Sequence, residues 1–208
     1  MLQTSTIEPG TFSLLKKLME LPCLKNFYLV GGTALALKYG HRLSVDIDLF
    51  GGEDFEKQTI ITALTEVFGE RFIDSRSRAQ WAIFCYIDDV KVDIINYKHP
   101  CIREPEVFDN IRVYNDLDIL AMKVNAILGR GKKKDFWDLA ELFKYYTVTE
   151  CIEAYDKKFP TQQLLISIPN ALTYFADAEE SEEPISLQGQ TWPAVKKSIQ
   201  QKVNEYLK

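Results

Sequence analysis

Apolar positions recur at helical spacing near the start of the chain. In residues 12 to 20, FSLLKKLME, the side chains of Phe12, Leu15, Leu18 and Met19 fall on one stripe, which predicts an amphipathic helix. A short apolar strand, NFYLV (26 to 30), then runs into Gly31. TALALKYGH reads as a helix opened by Thr33 and closed by Gly40, a residue type suited to the left-handed position after a helix. SVDIDLF (44 to 50) predicts a second strand, and FEKQTIITALTEVFG (55 to 69) a helix ended by Gly69. Three strands follow, RFIDSRS (71 to 77), WAIFCYI (81 to 87) and VKVDIINY (90 to 97), the last two joined by a turn at Asp88 and Asp89. Strand signals stop after NIRVYN (110 to 115). From Asp116 onward the periodic segments are helical: 116 to 130, 133 to 146, 149 to 159, 161 to 175 and 191 to 207. The predicted organisation is α+β, a mixed-sheet domain over residues 1 to 114 followed by an α-helical domain over 115 to 208. DAEESEEP (177 to 184) reads as a solvated linker, with mimicry of a nucleic acid as the alternative.

Composition narrows the class. With 208 residues, 46% hydrophobic and 12% aromatic, the chain can bury a sizeable core. No apolar run approaches the roughly 18 residues of a membrane span, and MLQTSTIEPGTF lacks the pattern of a signal peptide, so a cytoplasmic protein without a membrane partner is expected. Cys23, Cys85, Cys101 and Cys151 show neither a C-x-x-C nor a neighbouring His pair, and are expected to be reduced thiols, mostly buried. A net charge of -5 excludes a general nucleic-acid coat and requires any nucleic acid to use a local basic patch.

The chemistry concentrates where carboxylates interrupt apolar strands. Alternate side chains share a face of a strand, so Asp46 and Asp48 point one way while Val45, Ile47 and Leu49 point the other. Asp93 stands between Val92 and Ile94 on another apolar strand. If the two strands are neighbours, three carboxylates meet on one face, as a site for a hard divalent cation requires, and Mg²⁺ suits it. The structural alternative is that each Asp ends its strand as a turn or cap acceptor. The order strand, Gly31-Gly32-Thr33, helix, strand, Asp-x-Asp adds a second feature. Glycines let the backbone approach a phosphate, and the amides and the Thr33 hydroxyl at a helix start can bind its oxygens. Neither a Walker loop nor G-x-G-x-x-G is present.

GGTALALKYGHRLSVDIDLF, the Asp93 strand and AMKVNAILGRGKKKDFWDLAEL together resemble the abortive-infection AbiEii/AbiGii nucleotidyltransferase toxins of the polymerase-β-like superfamily, over roughly residues 27 to 143 in order. The superfamily often has Gly-Ser where this chain has Gly32-Thr33, a departure that keeps the hydroxyl. The resemblance implies a polymerase-β-like core. It implies that Asp46 and Asp48 bind Mg²⁺, or Mn²⁺ in its place, together with the triphosphate of an NTP. Asp93 would join one metal ion and help activate the attacking hydroxyl. It further implies a toxin with a separate antitoxin partner and the tRNA 3′ end as acceptor.

In the helical half, Leu117, Leu120, Ala121, Val124, Ile127 and Leu128 form the expected core stripe, leaving Lys123 and Arg130 on a flank from which both could reach one anionic ligand. Lys123 resembles the family's phosphate-contacting lysine, and the alternative is a solvated lysine. Lys132, Lys133 and Lys134 could receive RNA or triphosphate or simply be solvated, with Lys134 pairing with Asp138. Asp135 resembles the family's acidic residue, as a helix cap or as an orienting partner. Arg42 is expected to clamp phosphate with its two-pronged fork, and His41 is set outside the catalytic set. Three rival functions stand beside the tRNA reading: transfer to a small molecule such as an aminoglycoside, AMPylation of a partner protein, and a non-catalytic nucleotide-binding module.

Overall fold

Alternating apolar residues assemble the sheet, and the two-residue turns between them set its register. A computed structural model describes residues 2–52 and 55–208; Met1, the first residue of the range expected for the sheet domain, lies outside them with Glu53 and Asp54. In chain order the elements up to the last strand are α1 (Pro9–Glu20), β1 (Tyr28–Leu29), α2 (Gly31–Tyr39), β2 (Ile47–Gly51), α3 (Lys57–Phe68), β3 (Phe72–Asp74), β4 (Ala82–Ile87), β5 (Val90–Asn96), β6 (Glu106–Phe108) and β7 (Ile111–Val113). The described residues form a seven-stranded sheet ordered β3-β4-β5-β2-β1-β7-β6. Strands β2 and β5 run parallel, as do β1 and β7, while the other neighbours are antiparallel, so the sheet is mixed as expected.

Asp88 and Asp89 both have positive φ, 51° and 62°, as a type I′ hairpin requires. Asp109 and Asn110 repeat the device at 49° and 66° between β6 and β7. The sequence pattern did not yield β6, because this three-residue edge strand has an exposed central Val107 and no buried residue to give it a period. Arg112 on β7 donates to the carbonyls of Phe27, Met19 and Leu24, fastening that edge to the segment between α1 and β1.

Two compact units emerge: residues 1–38, 44–99 and 105–114 form one, and residues 39–43, 100–104 and 115–208 the other. The second contains α4 (Asp116–Gly129), α5 (Lys133–Leu142), α6 (Val148–Lys158), α7 (Ile168–Leu172) and α8 (Trp192–Tyr206). Asn115 caps α4 by accepting from Leu117 N–H, and Thr147 with Glu150 forms a capping box on α6. Trp192 lies stacked 6.0 Å from Trp137 and edge-on to Phe136 and Phe175, which locks α8 to α5.

Two expectations are corrected here. The helix expected over 161 to 175 shrinks to Ile168–Leu172, because Pro169 suits the first turn of a helix but not its interior, and Ser167 caps a new start by accepting from Asn170 N–H. The acidic run at 177 to 184 is solvated as expected at Asp177, Glu179, Glu180, Glu182 and Glu183, but it is tied to neighbouring helices rather than being a plain linker. Ala178 is buried, Lys133 Nζ donates to the Glu179 and Ser181 carbonyls, and Glu179 accepts from Trp192 Nε1 and Lys196 Nζ.

Helix α4 is buried on nearly every side by α5, α6 and α7, so its polar residues need partners within the protein. Asp118 accepts from the Ile102 and Arg103 amides and pairs with Lys158 Nζ at 2.6 Å, with side-chain exposures of 1% and 0%. Removing the cation strands a buried carboxylate. Lys158→Met is expected to lower the stability of the folded chain by about 3 kcal/mol, read as a lower urea midpoint.

Candidate active site

Within the first unit, the parallel pairing of β2 with β5 makes Asp48 and Asp93 register partners, and partners in a sheet carry their side chains on the same face. Asp46 does not lie on the strand as expected. The strand begins at Ile47, and Val45, expected on the apolar face with Ile47 and Leu49, is 65% exposed while those two are buried. Asp46 is held by the glycine turn: Thr33 Oγ1 donates to the Asp46 carbonyl and lies 2.9 Å from Ser44 Oγ. The Thr33 hydroxyl, expected to meet a phosphate, is thus engaged in fixing the Asp46 backbone. Helix α2 begins at Gly31 rather than Thr33, which leaves the Gly31, Gly32 and Thr33 amides in the first turn, where a helix has no internal acceptors for them.

Gly31 is demanded twice. Its φ of +71° lies in the left-handed region, and a Cβ there would stand 2.7 Å from Asp48 Oδ2. The turn that opens α2 therefore sits against the carboxylate of β2.

Asp93 Oδ2 receives Lys91 Nζ at 2.5 Å, while Asp93 Oδ1 is buried and has no hydrogen-bond partner among the described residues. An open, buried carboxylate oxygen beside a second carboxylate fits a hard cation. The fit is to an open site: no group of three or more His, Cys, Asp or Glu among the described residues forms a ready-made metal cage.

Within the second unit, the residues expected at a phosphate instead form a buried ion cluster. Arg42 grips Asp138 with both prongs, Nε to Oδ1 at 2.7 Å and Nη2 to Oδ2 at 2.9 Å, and donates through Nη1 to the Leu43 carbonyl. Its fork is closed on a carboxylate rather than open for a phosphate. Lys123 is 8% exposed at the side chain, lies 2.6 Å from Asp138 Oδ2 and donates to Asp135 Oδ1 at 3.2 Å. It is not a solvated lysine. Because α5 places Asp135 and Asp138 three residues apart, both face Lys123. Arg130, 55% exposed, approaches Asp135 Oδ2 at 3.5 Å.

Burial works against the Asp138 charge, yet Arg42 and Lys123 outweigh it and hold the carboxyl well below the usual range. Burial likewise works against the Lys123 ammonium, but Asp138 and Asp135 raise its pKa. An ionised carboxylate only accepts, so His41, fully buried, donates its Nε2 proton to Asp138 Oδ1 at 2.8 Å. Asp138 and Lys91 were missed as central residues. The sequence offers Asp138 only as a partner of Lys134, while Lys91 is legible as the residue two before Asp93 on the same strand face. Lys132 and Lys134 line a cavity of about 600 Å³ with Arg130, Asp177, Glu180 and Glu182. The cysteines are unpaired thiols; Cys85 and Cys151 are buried, Cys23 half-buried and Cys101 exposed.

A mixed seven-stranded sheet with helices after it in the chain makes the fold α+β, the class expected for a polymerase-β-like core. JHP933 from Helicobacter pylori shares the fold at TM-score 0.56 and 16% identity, covering 96% of this chain and 92% of that one. MenT4, a nucleotidyltransferase toxin from Mycobacterium tuberculosis H37Rv, does so at TM-score 0.62 and 12% identity, covering 94% and 84%. The family described as nucleotidyl transferase AbiEii toxin, type IV toxin–antitoxin system, matches residues 13–205, and the chain belongs to it. It is a nucleotidyltransferase. An uncharacterized protein of Aquifex aeolicus (strain VF5) is 34% identical over 206 residues, 93% of this chain and 94% of that protein.

Two outcomes follow from this geometry. Gly31→Ala forces a Cβ against Asp48 Oδ2 in a left-handed backbone, so it is expected to cost about 1 to 2 kcal/mol in melting and to reduce nucleotide transfer out of proportion to that loss. Asp138→Asn leaves Arg42 and Lys123 buried with one carboxylate fewer, and is expected to cost about 3 kcal/mol near neutral pH. A depressed folded pKa means that the Asp138 contribution is fully present above its unfolded value near 3.8 and is lost as pH falls through the lower folded value. Thermal melts on the acid side should therefore show a component in the wild type that Asp138→Asn lacks.

Proposed function

We propose that this nucleotidyltransferase moves a nucleoside monophosphate from an NTP to the 3′ hydroxyl of tRNA, and that it acts as the toxin beside a separate antitoxin. The observation that carries the reading is the register pair Asp48 and Asp93, with the buried, unpartnered Asp93 Oδ1. The acceptor oxygen attacks the α-phosphorus, an O–P bond forms, the bond to the β-phosphate bridging oxygen breaks, and pyrophosphate leaves.

Asp46, Asp48 and Asp93 would hold Mg²⁺, or Mn²⁺ in its place. When bound, the ion supplies Lewis-acid charge that stabilises the entering oxygen and the departing pyrophosphate. The chain's own groups divide the remaining work. Amides of Gly32 and Thr33 at the start of α2 are suited to phosphate oxygens. Asp93, whose Oδ1 has no hydrogen-bond partner among the described residues, is suited to holding the ion and so to helping activate the acceptor hydroxyl.

For Lys123, Arg130, Asp135 and Arg42, the proposed part in nucleotide binding is carried by the half-exposed Arg130 at the rim of the cluster, while Lys123, Arg42 and Asp135 hold it in shape. Lys132 and Lys134 offer the local basic patch that an acidic chain needs for RNA. The toxin family supports the antitoxin partner.

The test is incubation of the protein with each labelled NTP, Mg²⁺ and total tRNA. Label in the 3′ terminal nucleotide is the expected result; label only in protein or in a small molecule would replace tRNA as acceptor. Asp48→Asn is expected to lower transfer by on the order of 10²-fold or more while leaving the fold intact, since it removes a charge and keeps the shape. Near-normal transfer by that variant would remove the Asp-x-Asp from the site.

A further inference from the structure

Two like charges on register partners repel unless a cation stands among them. In this structure that cation is Lys91. It lies on β5 two residues before Asp93, so both side chains leave the same face, and its Nζ is 2.5 Å from Asp93 Oδ2. The β2–β5 register begins with Ile47 opposite Val92, and Asp46 immediately precedes β2 in the chain. Burial works against the Lys91 charge, but the hydrogen bond and attraction of Asp93, and then of Asp48 and Asp46, raise its pKa above the ordinary lysine value. One ammonium thus contacts Asp93 directly, on the strand that pairs with the strand of Asp48.

We propose that Lys91 is a resident counter-ion, whose ammonium holds the aspartates together in the metal-free protein and is displaced from Asp93 when a divalent cation enters. It is a positioning residue that sets how tightly the site takes metal. The proposal rests on the reading of Asp46, Asp48 and Asp93 as the metal site.

A comparison inside the same protein shows why this pair can open. Lys158 and Asp118 are completely enclosed, and two backbone amides also hold the carboxylate, so separating them would leave a buried charge. Lys91 is 41% exposed and Asp93 16%. A lysine head on a flexible stem can withdraw into water at small cost, and an ion pair of this exposure contributes little net stability. The incoming ion also has a landing point, since Asp93 Oδ1 is open while Lys91 occupies Oδ2. A hard divalent cation with oxygen ligands then outcompetes the ammonium, which carries half its charge.

The test is a titration of metal-stripped full-length protein with Mn²⁺ in the absence of nucleotide, with free Mn²⁺ read by electron paramagnetic resonance. Lys91→Met keeps the stem and removes the charge. It is expected to bind Mn²⁺ about threefold to fivefold more tightly than wild type, the range set by loss of a partly exposed ion pair. Its metal-free form should melt lower than wild type, with the gap closing at saturating Mn²⁺. Lys91→Arg, which restores a cation, should return the affinity toward wild type. In the wild type alone, the ¹⁵N resonance of the Lys91 ammonium should be held by the ion pair without metal and lose that protection on saturation with diamagnetic Mg²⁺. Equal or weaker Mn²⁺ binding by a folded Lys91→Met protein, or a Lys91 resonance unmoved by saturating Mg²⁺, overturns the counter-ion role while leaving the metal site standing. Absence of saturable Mn²⁺ binding in the wild type and every Lys91 variant overturns the metal site itself, and this proposal with it.

Discussion

Repulsion between Asp48 and Asp93 is the constraint around which the sheet unit is organised. Parallel pairing of β2 with β5 makes these two carboxylates neighbours on one face, a placement that adds nothing to stability and needs a compensating cation. Each nearby feature is intelligible as a response. Gly31 leaves room for Asp48 Oδ2 where a Cβ would collide, Thr33 fixes the backbone of Asp46, and Lys91 supplies positive charge to Asp93. Local stability is given up where two negative charges are brought side by side.

The helical unit handles charge in the opposite way. Asp138 sits among Arg42, Lys123 and His41, and Asp118 among Lys158 and two amides, so these two buried carboxylates are closed off by donors. Such clusters are costly to break, because removing one member leaves the others buried without compensation, and they fix side-chain placement more than they add net stability. Asp93 differs from these two carboxylates in keeping one buried oxygen without a hydrogen-bond partner among the described residues.

Membership of the AbiEii family assigns the chemistry as nucleotide transfer, and the local features of the chain agree with an enzyme that meets polyanions at restricted places. The protein as a whole carries a charge of -5, yet Arg130, Lys132 and Lys134 gather at the α4–α5 connection. The acidic segment 177–183 supplies part of the other wall of the same cavity, so basic and acidic side chains share one polar surface. No helix among the described residues is long and apolar enough to cross a membrane.

Short-range rules were enough for much of this. Period-2 alternation placed Asp93 among apolar residues of a strand, helical spacing marked α1, α3, α4 and α8, and the Asp88-Asp89 hairpin was legible because its turn links two strongly patterned strands. The linked order of glycines, Asp-x-Asp and the third aspartate was also readable, since each motif is local. Tertiary structure alone decided which strands are neighbours, and hence that Asp48 meets Asp93. It also decided that β6 exists as an edge strand held by pairing rather than by burial, and that Pro169 starts a short helix instead of interrupting a long one. The same holds for Lys123 and Arg42. Sequence spacing places a lysine on a helix flank, but whether that flank faces water or Asp138 depends on what packs against it, and burial is a property of the assembled chain.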